Sequence, residues 1–468
     1  MFSSIQLWTT IVVLILAPLF FGSVDLFWIA VWTILLSVSV LCGFAAPMVI
    51  GQSRILLGFL ALCGIYVLVA IIQITPHLID QLNDPSWRRV NDLLGLDALP
   101  RISSRAEMPL LAVGHFLLFA TAFISGFSIG TSPRNSDRLI RFAQYSILAF
   151  AIYGLAALIL TPNLVLWAPK AAYLGSLTAT FINHNTAATF LGAGAILWFC
   201  SAFSSLQQSF RFSSIRLLLL NRANEHLAFR LLGRSGGALT CFFALLLTGS
   251  RGGLICSCLG LLVAIILMLV DRQKSRFWHV TLWGTVALAV TIALLSRMGR
   301  IGSQGLFDDA RWSVYGFCVE AIRRRPLLGA GLGTFEDLFP SLRADNFYSW
   351  GVWDYAHSTI LEIALEMGIP LAAMVVIAAL ASLFILARVT VKSEGRSRRS
   401  LAAITGIAVL SYLHSMIDFS LQIPGYLVLF GVLLGCGLAK ASAKSVEVAV
   451  RPLALLELLS SRKSVLGG

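Results

Sequence analysis

Two motifs, joined by a polar and aromatic stretch, decide how the chain is organised. The first reads R-W-S-V-Y-G-F-C-V-E-A-I-R-R-R-P-L-L-G-A-G-L-G-T-F-E over residues 311–336, and the second reads W-D-Y-A-H-S-T-I-L-E-I-A-L-E-M-G over residues 353–368. Together they form the longest polar interval between hydrophobic runs. The interval holds an arginine cluster, a glycine-rich turn and a histidine. We therefore expect chemistry here, with the remaining segments holding this interval in place.

The composition around this interval indicates a membrane protein. The chain is 58% hydrophobic and 12% charged, whereas soluble domains have about 25% charged residues. Apolar runs of about twenty residues, the length that crosses a bilayer as a helix, recur along the 468 residues. Transmembrane β-strands alternate apolar and polar residues, but these runs are continuous. The sequence therefore predicts an all-α polytopic membrane protein.

About twelve transmembrane helices are predicted. The seventh predicted span is short and the tenth is long, so we expect both to tilt, break or begin outside the bilayer. The predicted spans are 5–22, 24–42, 55–74, 109–130, 142–161, 184–203, 236–250, 252–270, 277–296, 358–388, 401–420 and 425–440.

The distribution of Lys and Arg predicts the orientation. Basic residues concentrate in alternate loops, and the positive-inside rule then places both termini in the cytoplasm. The net charge of +13 has the same explanation, so we expect membrane lipids as partners and no nucleic acid. We interpret residues 1–468 as a single membrane domain. The segments predicted to face outward are 75–108, 162–183, 251–252, 297–357 and 421–424, the fourth being a long loop between spans nine and ten.

Polar residues at the start of the sixth span form the first candidate cluster. The run Thr180-Phe-Ile-Asn183-His-Asn185 precedes or opens the helix. Such residues can cap a helix or line a polar cavity, and the sequence leaves both possibilities open. Asn183 and Asn185 are therefore candidate contacts for a glycan or a lipid.

A lone arginine between glycines forms the second cluster, Gly249-Ser-Arg251-Gly-Gly. An arginine at a membrane boundary can extend its charge to the interface without further function. Glycines also allow an anion to approach closely beside a helix N-terminus, and the planar guanidinium donates two hydrogen bonds to phosphate. The tight turn with one outward arginine favours an anion site.

The third cluster contains Arg311 and the run Arg323-Arg324-Arg325. Three arginines on the outer face run against the charge bias, so we expect bound anions or nearby acidic residues to compensate them. The G-A-G-L-G run that follows is not a dinucleotide fingerprint because no strand precedes it. Asp308 and Asp309 are adjacent and no D-x-D pair occurs in the outer loops, so we expect no metal and no cofactor.

Two histidines complete the candidate set. His357 follows Trp353 and Asp354 where a polar loop meets the tenth span, and its pKa could suit proton transfer near neutrality. His414 and Asp418 are four residues apart on the eleventh span, close enough to touch on a helix. Glu362 and Glu366 lie round the helix from His357, and we interpret them as packing or polar-network residues.

Three of these motifs carry a resemblance to a known family. Gly249-Ser-Arg251-Gly-Gly, the R-P-L-L-G-x-G-x-G-T-F segment and A-H-S-T-I-L-E-I-A-L-E-M-G-I-P resemble the C-terminal domain of the O-antigen ligase and polymerase superfamily. The resemblance covers about residues 170–440. It implies a bacterial inner-membrane glycosyltransferase of the GT-C type, acting on the periplasmic side on glycans carried by undecaprenyl pyrophosphate.

The resemblance also implies residue roles. Arg251 and Arg311 match arginines thought to hold the lipid pyrophosphate, and His357 matches a histidine proposed as general base. In the family that histidine is commonly followed by Asn, whereas Ser358 follows it here. Arg325, Trp353, Asp354, His414 and Asp418 are further candidate contacts for glycan or lipid.

The implied activity is metal-independent transfer of the glycan to an acceptor hydroxyl, on lipid A core for a ligase. A polymerase that extends the lipid-linked glycan is the alternative, and the motifs do not separate the two. A lipid-glycan transporter is a second alternative. A transporter would place charged residues near the bilayer midplane in two symmetric halves, whereas here the polar motifs gather at one boundary of the second half.

Overall fold

The computed structural model describes residues 2–44, 46–209, 225–270, 309–343, 353–443 and 449–450. The described residues form fifteen α-helices: α1 (Phe2–Leu16), α2 (Leu26–Gly43), α3 (Ile50–Ile74), α4 (Ser86–Leu94), α5 (Met108–Gly130), α6 (Pro133–Leu160), α7 (His184–Ser209), α8 (Glu225–Leu247), α9 (Arg251–Leu269), α10 (Asp309–Arg324), α11 (Phe335–Leu342), α12 (Thr359–Met367), α13 (Ile369–Lys392), α14 (Gly395–His414) and α15 (Pro424–Ser442). Short 3₁₀ turns follow α3 (Asp80–Leu82) and α14 (Ser420–Gln422).

Strands are minor in the described chain. Strand β1 (Met48–Val49) pairs antiparallel with β4 (Ala449–Val450), and β2 (Leu164–Val165) pairs antiparallel with β3 (Ala168–Pro169). Nine of the described helices, namely α2, α3, α5–α9, α13 and α15, are long and apolar enough to cross a membrane. The prediction of an all-α polytopic membrane protein is confirmed. The predicted span 277–296 lies outside the described residues.

Several predicted span limits need correction or refinement. Helix α1 ends at Leu16 rather than at 22, and α6 begins at Pro133 rather than at 142. Helix α8 begins at Glu225, so the seventh span is not short, and Arg230 and Arg234 belong to a helix rather than a loop. The tenth span breaks, as expected, at Gly368, which separates α12 from α13. Helix α14 ends at His414, so Asp418 lies beyond the helix instead of one turn along it.

Gly368 makes the break possible. Its φ is 89°, and a Cβ built on it would lie 2.1 Å from the carbonyl oxygen of Leu327. The amide N–H of Ile369 donates to the carbonyl oxygen of Pro326 at 2.8 Å. Only glycine fits this close crossing, so the start of α13 is held against the segment that follows α10.

Two helices lie at the centre of the bundle. The buried share of the spanning window is 94% for α15 and 89% for α7, against 6% for α3. Helices α15 and α5 approach closely, since a Cβ on Gly126 of α5 would lie 2.1 Å from the carbonyl oxygen of Val432, and a Cβ on Gly435 would lie 2.1 Å from that of Phe123. Small residues commonly permit such contacts between membrane helices.

A second, smaller core belongs to α10–α12. Val314 and Cys318 of α10 pack with Phe335 and Phe339 of α11 and with Leu365 of α12. Clustering these apolar side chains makes the interval between spans nine and ten a packed unit over its described parts. Arg311 lies at the start of α10, and His357 lies in the loop 353–358 that leads into α12. The packing of this unit therefore sets where both residues lie.

Gln73 of α3 fastens the glycine-rich run to this unit. Its fully buried Nε2 donates to the carbonyl oxygens of Leu328 and Glu366, at 2.6 and 2.7 Å, and its Oε1 accepts from the amide of Leu332 at 3.0 Å. A Cβ on Gly329 would lie 2.4 Å from the main chain of Glu366. The G-A-G-L-G run is therefore a turn that packs on α3 and α12.

Candidate functional site

The candidate site is built around residues 414–420, the turn between α14 and the following 3₁₀ helix, called here the central turn. Four elements contact it, and they are far apart in sequence: the starts of α7, α9 and α10, and the loop 353–358. Polar groups from all four meet at one end of the bundle.

Asn185 of α7 links the central turn to the start of α9. Its Nδ2 donates to Asp418 Oδ2 at 2.8 Å, and its Oδ1 accepts from Ser250 Oγ at 2.7 Å. Ser420 Oγ donates to the other oxygen, Asp418 Oδ1, at 2.7 Å. Asn183 accepts a bond from the amide of Asn185 at 2.7 Å, so Asn183 holds the turn into α7 while Asn185 belongs to the network.

Arg251 is the first residue of α9. Ser250 caps this helix by accepting a hydrogen bond from the amide of Gly253 at 3.1 Å. Gly252 faces the central turn, where an added Cβ would lie 2.9 Å from Ile417 Cδ1 and 3.4 Å from His414 Nε2. The N-terminus of α9, which carries partial positive charge and favours anions, is thus fixed beside the central turn, with the half-buried Arg251 on it.

Arg311 reaches the same residue from another helix. It lies in the first turn of α10, and its Nη1 donates to the carbonyl oxygen of Ile417 at 3.0 Å. Ile417 therefore contacts Arg311 directly and lies against Gly252, the neighbour of Arg251. Arg311 and the start of α9, which carries Arg251 sixty positions earlier in the sequence, therefore lie against the same residue.

His357 contacts the central turn at Phe419 and has an unusual main chain. Its φ is 54°, a left-handed conformation that costs a non-glycine residue roughly 1–2 kcal/mol. Three bonds hold it: Tyr315 Oη donates to the His357 carbonyl oxygen at 2.9 Å, the amide of Ala356 donates to Glu362 Oε2 at 2.7 Å, and the amide of Thr359 donates to the Ser415 carbonyl oxygen at 2.8 Å. Surrounding structure thus fixes the histidine in a conformation it would not adopt freely.

Aromatic rings enclose the imidazole. The ring centroid of His357 lies 5.0 Å from that of Trp353 and 4.8 Å from that of Phe419, both in edge-to-face contact. Tyr355 stacks on Phe419 at 4.6 Å. Rings of this kind can stack on sugar faces, and they restrict the histidine to one orientation.

Tyr173 brings a further segment, from the predicted outer loop 162–183, to the site. Its ring stacks on His184 at 4.1 Å, and His184 Nδ1 lies 2.8 Å from the carbonyl oxygen of Thr248. Burial raises the pKa of the Tyr173 phenol, and the carboxylate of Asp418 raises it further, while Arg311 opposes this. Tyr173 therefore lies within electrostatic reach of both Asp418 and Arg311.

His414 and Asp418 are joined indirectly. His414 Nδ1 lies 2.7 Å from Thr189 Oγ1 and 3.3 Å from Ser420 Oγ, and Ser420 bonds Asp418. The expected contact between the two residues is therefore mediated by Ser420, because the helix ends before Asp418. Both side chains are buried, which suits positioning of the central turn.

Two sequence-predicted contacts lie elsewhere or face outward. Arg325 follows α10 at its other end, about 21 Å along the helix from Arg311, and its Nη1 donates to Asp84 Oδ2. Burial alone would raise the pKa of Asp84, but the bonds from Arg325 and Ser86 outweigh it and hold the pKa below its usual value. Asp354 is exposed beside the site.

Two of the three arginines in the run 323–325 pair with acidic side chains, which is one of the two kinds of compensation expected. Arg324 pairs with Glu320 at 3.3 Å and Arg325 pairs with Asp84. Asp337, an acidic residue close to the run in sequence, pairs with Arg105 at 2.8 Å. Arg325 is therefore not brought together with Arg251 and Arg311.

Several residues of the site were not predicted from the sequence: Tyr173, Thr189, Ser250, Tyr315, Phe419 and Ser420. Two carried a signal. Ser250 occupies an N-cap position three residues before Gly253. Tyr315 follows Arg311 by four residues, so Arg311 and Tyr315 face the same side of their helix. The others enter the site only through tertiary contacts that no local spacing reveals.

The arrangement suits chemistry on an anion. The Arg311 guanidinium and the N-terminus of α9, where Arg251 lies, supply positive charge. A fixed imidazole with two aromatic rings against it lies at the same turn. Among the described residues, no group of three His, Cys, Asp or Glu side chains could hold a metal ion.

Residues 236–376 match the family model described as O-antigen ligase. The matched part contains Arg251, Arg311 and His357, whereas Asn185 and the central turn lie outside it. No curated protein matches the chain.

Proposed function

We propose that this chain, which belongs to the O-antigen ligase and polymerase superfamily, transfers a glycan from a lipid pyrophosphate carrier to an acceptor hydroxyl. Family membership supports ligase-type or polymerase-type glycan transfer in polysaccharide biosynthesis by a multi-pass membrane protein. We further propose that undecaprenyl pyrophosphate carries the donor glycan, that lipid A core is the acceptor, and that transfer takes place on the periplasmic face of the inner membrane. One observation carries it: Arg311 bonds Ile417, His357 packs on Phe419, and the start of α9, which carries Arg251, packs on Ile417 through Gly252.

The two arginines would bind the pyrophosphate. Breaking the bond between sugar C1 and the pyrophosphate oxygen leaves a more negative leaving group, so positive charge fixed beside it lowers the barrier. Arg311 already donates to the carbonyl of Ile417, which holds its guanidinium in place. The start of α9 adds partial positive charge and main-chain N–H groups at the same point.

His357 would act as general base. As the acceptor oxygen forms its bond to C1, the neutral imidazole takes the hydroxyl proton and the lipid pyrophosphate departs with the bonding electrons. General-base assistance contributes typically about a hundredfold to ten-thousandfold in rate. The constrained main chain of His357 and its edge contacts with Trp353 and Phe419 support a role that needs one fixed ring position.

In this proposal no metal takes part. The arginines and the helix N-terminus supply the positive charge that a divalent ion provides in other glycosyl transfers. Asn185, Ser420 and Asp418 would keep the central turn in register with α9, because each oxygen of Asp418 accepts one side-chain hydrogen bond.

The test is genetic and chemical. The gene is deleted in its own host, and surface polysaccharide is analysed after complementation with wild type or with His357→Ala. Loss of long glycan from lipid A, with lipid-linked glycan accumulating, is expected for the ligase. Single repeat units still attached to lipid A would identify a polymerase. Polysaccharide unchanged in the deletion strain would refute glycan transfer, and full rescue by His357→Ala would refute the role of His357 as base.

A further inference from the structure

A second polar site lies at the other end of the bundle. A cavity of about 330 Å³ opens between α6, α7, α8 and α14. Ser201 of α7 lines it, about 24 Å along the helix from Asn185, and Arg399 of α14 lines it, about 22 Å along that helix from His414. The cavity and the candidate site therefore lie at opposite ends of the same two helices.

Arginine dominates the cavity wall. Five arginines line it, against a single acidic side chain among the described lining residues, Asp137. These arginines are Arg141, Arg230, Arg234, Arg396 and Arg399. The volume falls at the lower end of the range for small-molecule sites, about 300–1,000 Å³. A cavity of this size and charge can accept an anionic headgroup.

The carboxylate of Asp137 already accepts hydrogen bonds from two cationic side chains. Asp137 Oδ2 accepts from Arg396 Nη1 and Asp137 Oδ1 accepts from Lys440 Nζ, each at 3.2 Å. This single carboxylate is therefore shared between two bonded cations while four further arginines line the wall.

The remaining arginines bond neutral groups or none. Arg230 Nε donates to the carbonyl oxygen of His226 on its own helix, at 3.1 Å, and Arg234 donates to the Ser201 carbonyl and to Ser205 Oγ. Arg399 makes no hydrogen bond or ion pair with the part of the chain that the structure describes. Its guanidinium, half-buried, is repelled by those of Arg234 and Arg396 and attracted more weakly by Asp137. Grouping like charges is costly unless a counter-charge joins them.

The surroundings of the cavity are apolar and exposed. Phe229 and Leu232 of α8, which flank Arg230 in sequence, are 64% and 61% exposed. Tyr145 of α6 is 59% exposed, packs on Trp198 and lies within electrostatic reach of Arg234. Basic pockets between membrane helices, bordered by lipid-facing side chains, are typical sites for anionic lipid headgroups.

We propose that this arginine-lined cavity binds a phosphate-bearing anion, with Arg230, Arg234 and Arg399 donating to its oxygens. Guanidinium groups recognise phosphate through paired hydrogen bonds. The phosphate belongs either to the headgroup of an anionic phospholipid or to a soluble phosphate compound, and the exposed apolar flank favours the phospholipid. This site is separate from the proposed donor site and does not rest on it.

Binding to the purified full-length protein tests the proposal. Native mass spectrometry in a neutral detergent measures affinity for phosphatidylglycerol, with phosphatidylcholine as a zwitterionic comparison, and thermal unfolding measures the effect of inorganic phosphate. Arg399→Gln and the double variant Arg230→Gln/Arg399→Gln should bind phosphatidylglycerol at least tenfold more weakly than wild type. Arg138→Gln is the matched control, since Arg138 is exposed on α6, near Arg141, and does not line the cavity.

The results expected for a lipid site, for a soluble phosphate ligand and for no phosphate site differ. Selective loss of phosphatidylglycerol supports a lipid site, and a phosphate-dependent rise in Tm that only the cavity variants lose supports a soluble ligand. Equal binding of both ligands by wild type and double variant overturns the proposal, as does an equal loss in Arg138→Gln. Arg399→Gln removes no intramolecular bond, so it should fold, and its Tm without ligand should equal or exceed that of wild type.

Discussion

Tyr315 Oη donates a hydrogen bond of 2.9 Å to the main-chain carbonyl oxygen of His357. Tyr315 lies one turn after Arg311 on α10, so a single helix carries both an arginine proposed to bind the donor and a hydroxyl that fixes the proposed base. Rigid elements hold functional groups more precisely than loops do. This relationship explains how a histidine on a loop can keep a defined position relative to Arg311.

Tyr315→Phe should lower kcat modestly, by about two- to tenfold, because one neutral hydrogen bond contributes about 0.5–1.5 kcal/mol. Donor affinity should stay unchanged, since the hydroxyl contacts the His357 main chain. A glycan-transfer assay that separates kcat from KM makes the measurement, and Tyr145→Phe, at the other end of the bundle, is the control. An unchanged kcat would show that the bond does not position the base.

His357→Ala should lower turnover per folded molecule by about a hundredfold or more, while the protein still inserts and binds donor. His357→Gln keeps similar size and hydrogen bonding but cannot accept the proton, so it should not restore turnover. His77→Gln is a matched control, because His77 is exposed and has a similar left-handed main chain, φ 52°.

A purely structural histidine would behave differently. Its replacement would reduce abundance or Tm, and Gln would recover much of both. Near-normal turnover in His357→Gln would therefore assign proton transfer to another group, with Asp354 the exposed candidate beside it.

Arg251→Lys and Arg311→Lys should each impair transfer and weaken donor binding, because Lys keeps the charge but loses the planar fork that binds phosphate bidentately. Arg324→Lys is the control, since Arg324 ends the same helix that Arg311 begins and pairs there with Glu320. Donor binding and turnover are measured side by side. Full activity in both Lys variants would mean that simple charge at the interface suffices.

Transfer should continue in the presence of a chelator. The expectation follows from the arginines and helix N-terminus that supply positive charge at the central turn. The purified protein is assayed before and after treatment with EDTA. Loss of activity that added magnesium or manganese restores would contradict the arginine mechanism.

The orientation predicts opposite results for two reporters. A periplasm-active enzyme inserted after Gly95, between α3 and α5, should be active, and one inserted after Glu394, between α13 and α14, should be silent. Both positions are exposed, so insertion should leave the packing intact. The reverse pattern would place the central turn in the cytoplasm and remove the proposed periplasmic site.

Span existence was predictable because a run of about twenty apolar residues admits few alternatives in a membrane protein. The residues at which each span begins and ends were harder to predict. Arg230 and Arg234 suggested a loop, but the structure extends α8 through them because their side chains line a polar cavity rather than face lipid. The end of α14 at His414 was missed because Met416 and Ile417 continue the apolar pattern.

The proposed catalytic residues could be named from the sequence, but their surroundings could not. Arg251 and His357 stood out as polar residues at the edges of apolar runs, and Arg311 stood out through the family resemblance. Tyr173, Thr189 and Ser420 did not, since serine, threonine and tyrosine are common in loops and helices. Their partners depend on which helices are neighbours, and lipid-facing and protein-facing apolar surfaces have similar sequences.

The placement of α15 has a consequence for biogenesis. It is the last spanning helix that the structure describes and also the most enclosed, with its glycines pressed on α5. During synthesis, the surfaces of the earlier helices that contact α15 must remain uncovered until α15 inserts. A chain stopped after α14 should therefore expose the inner face of α5 to lipid or to quality-control proteases, and the central turn should acquire its final shape only when the last span inserts.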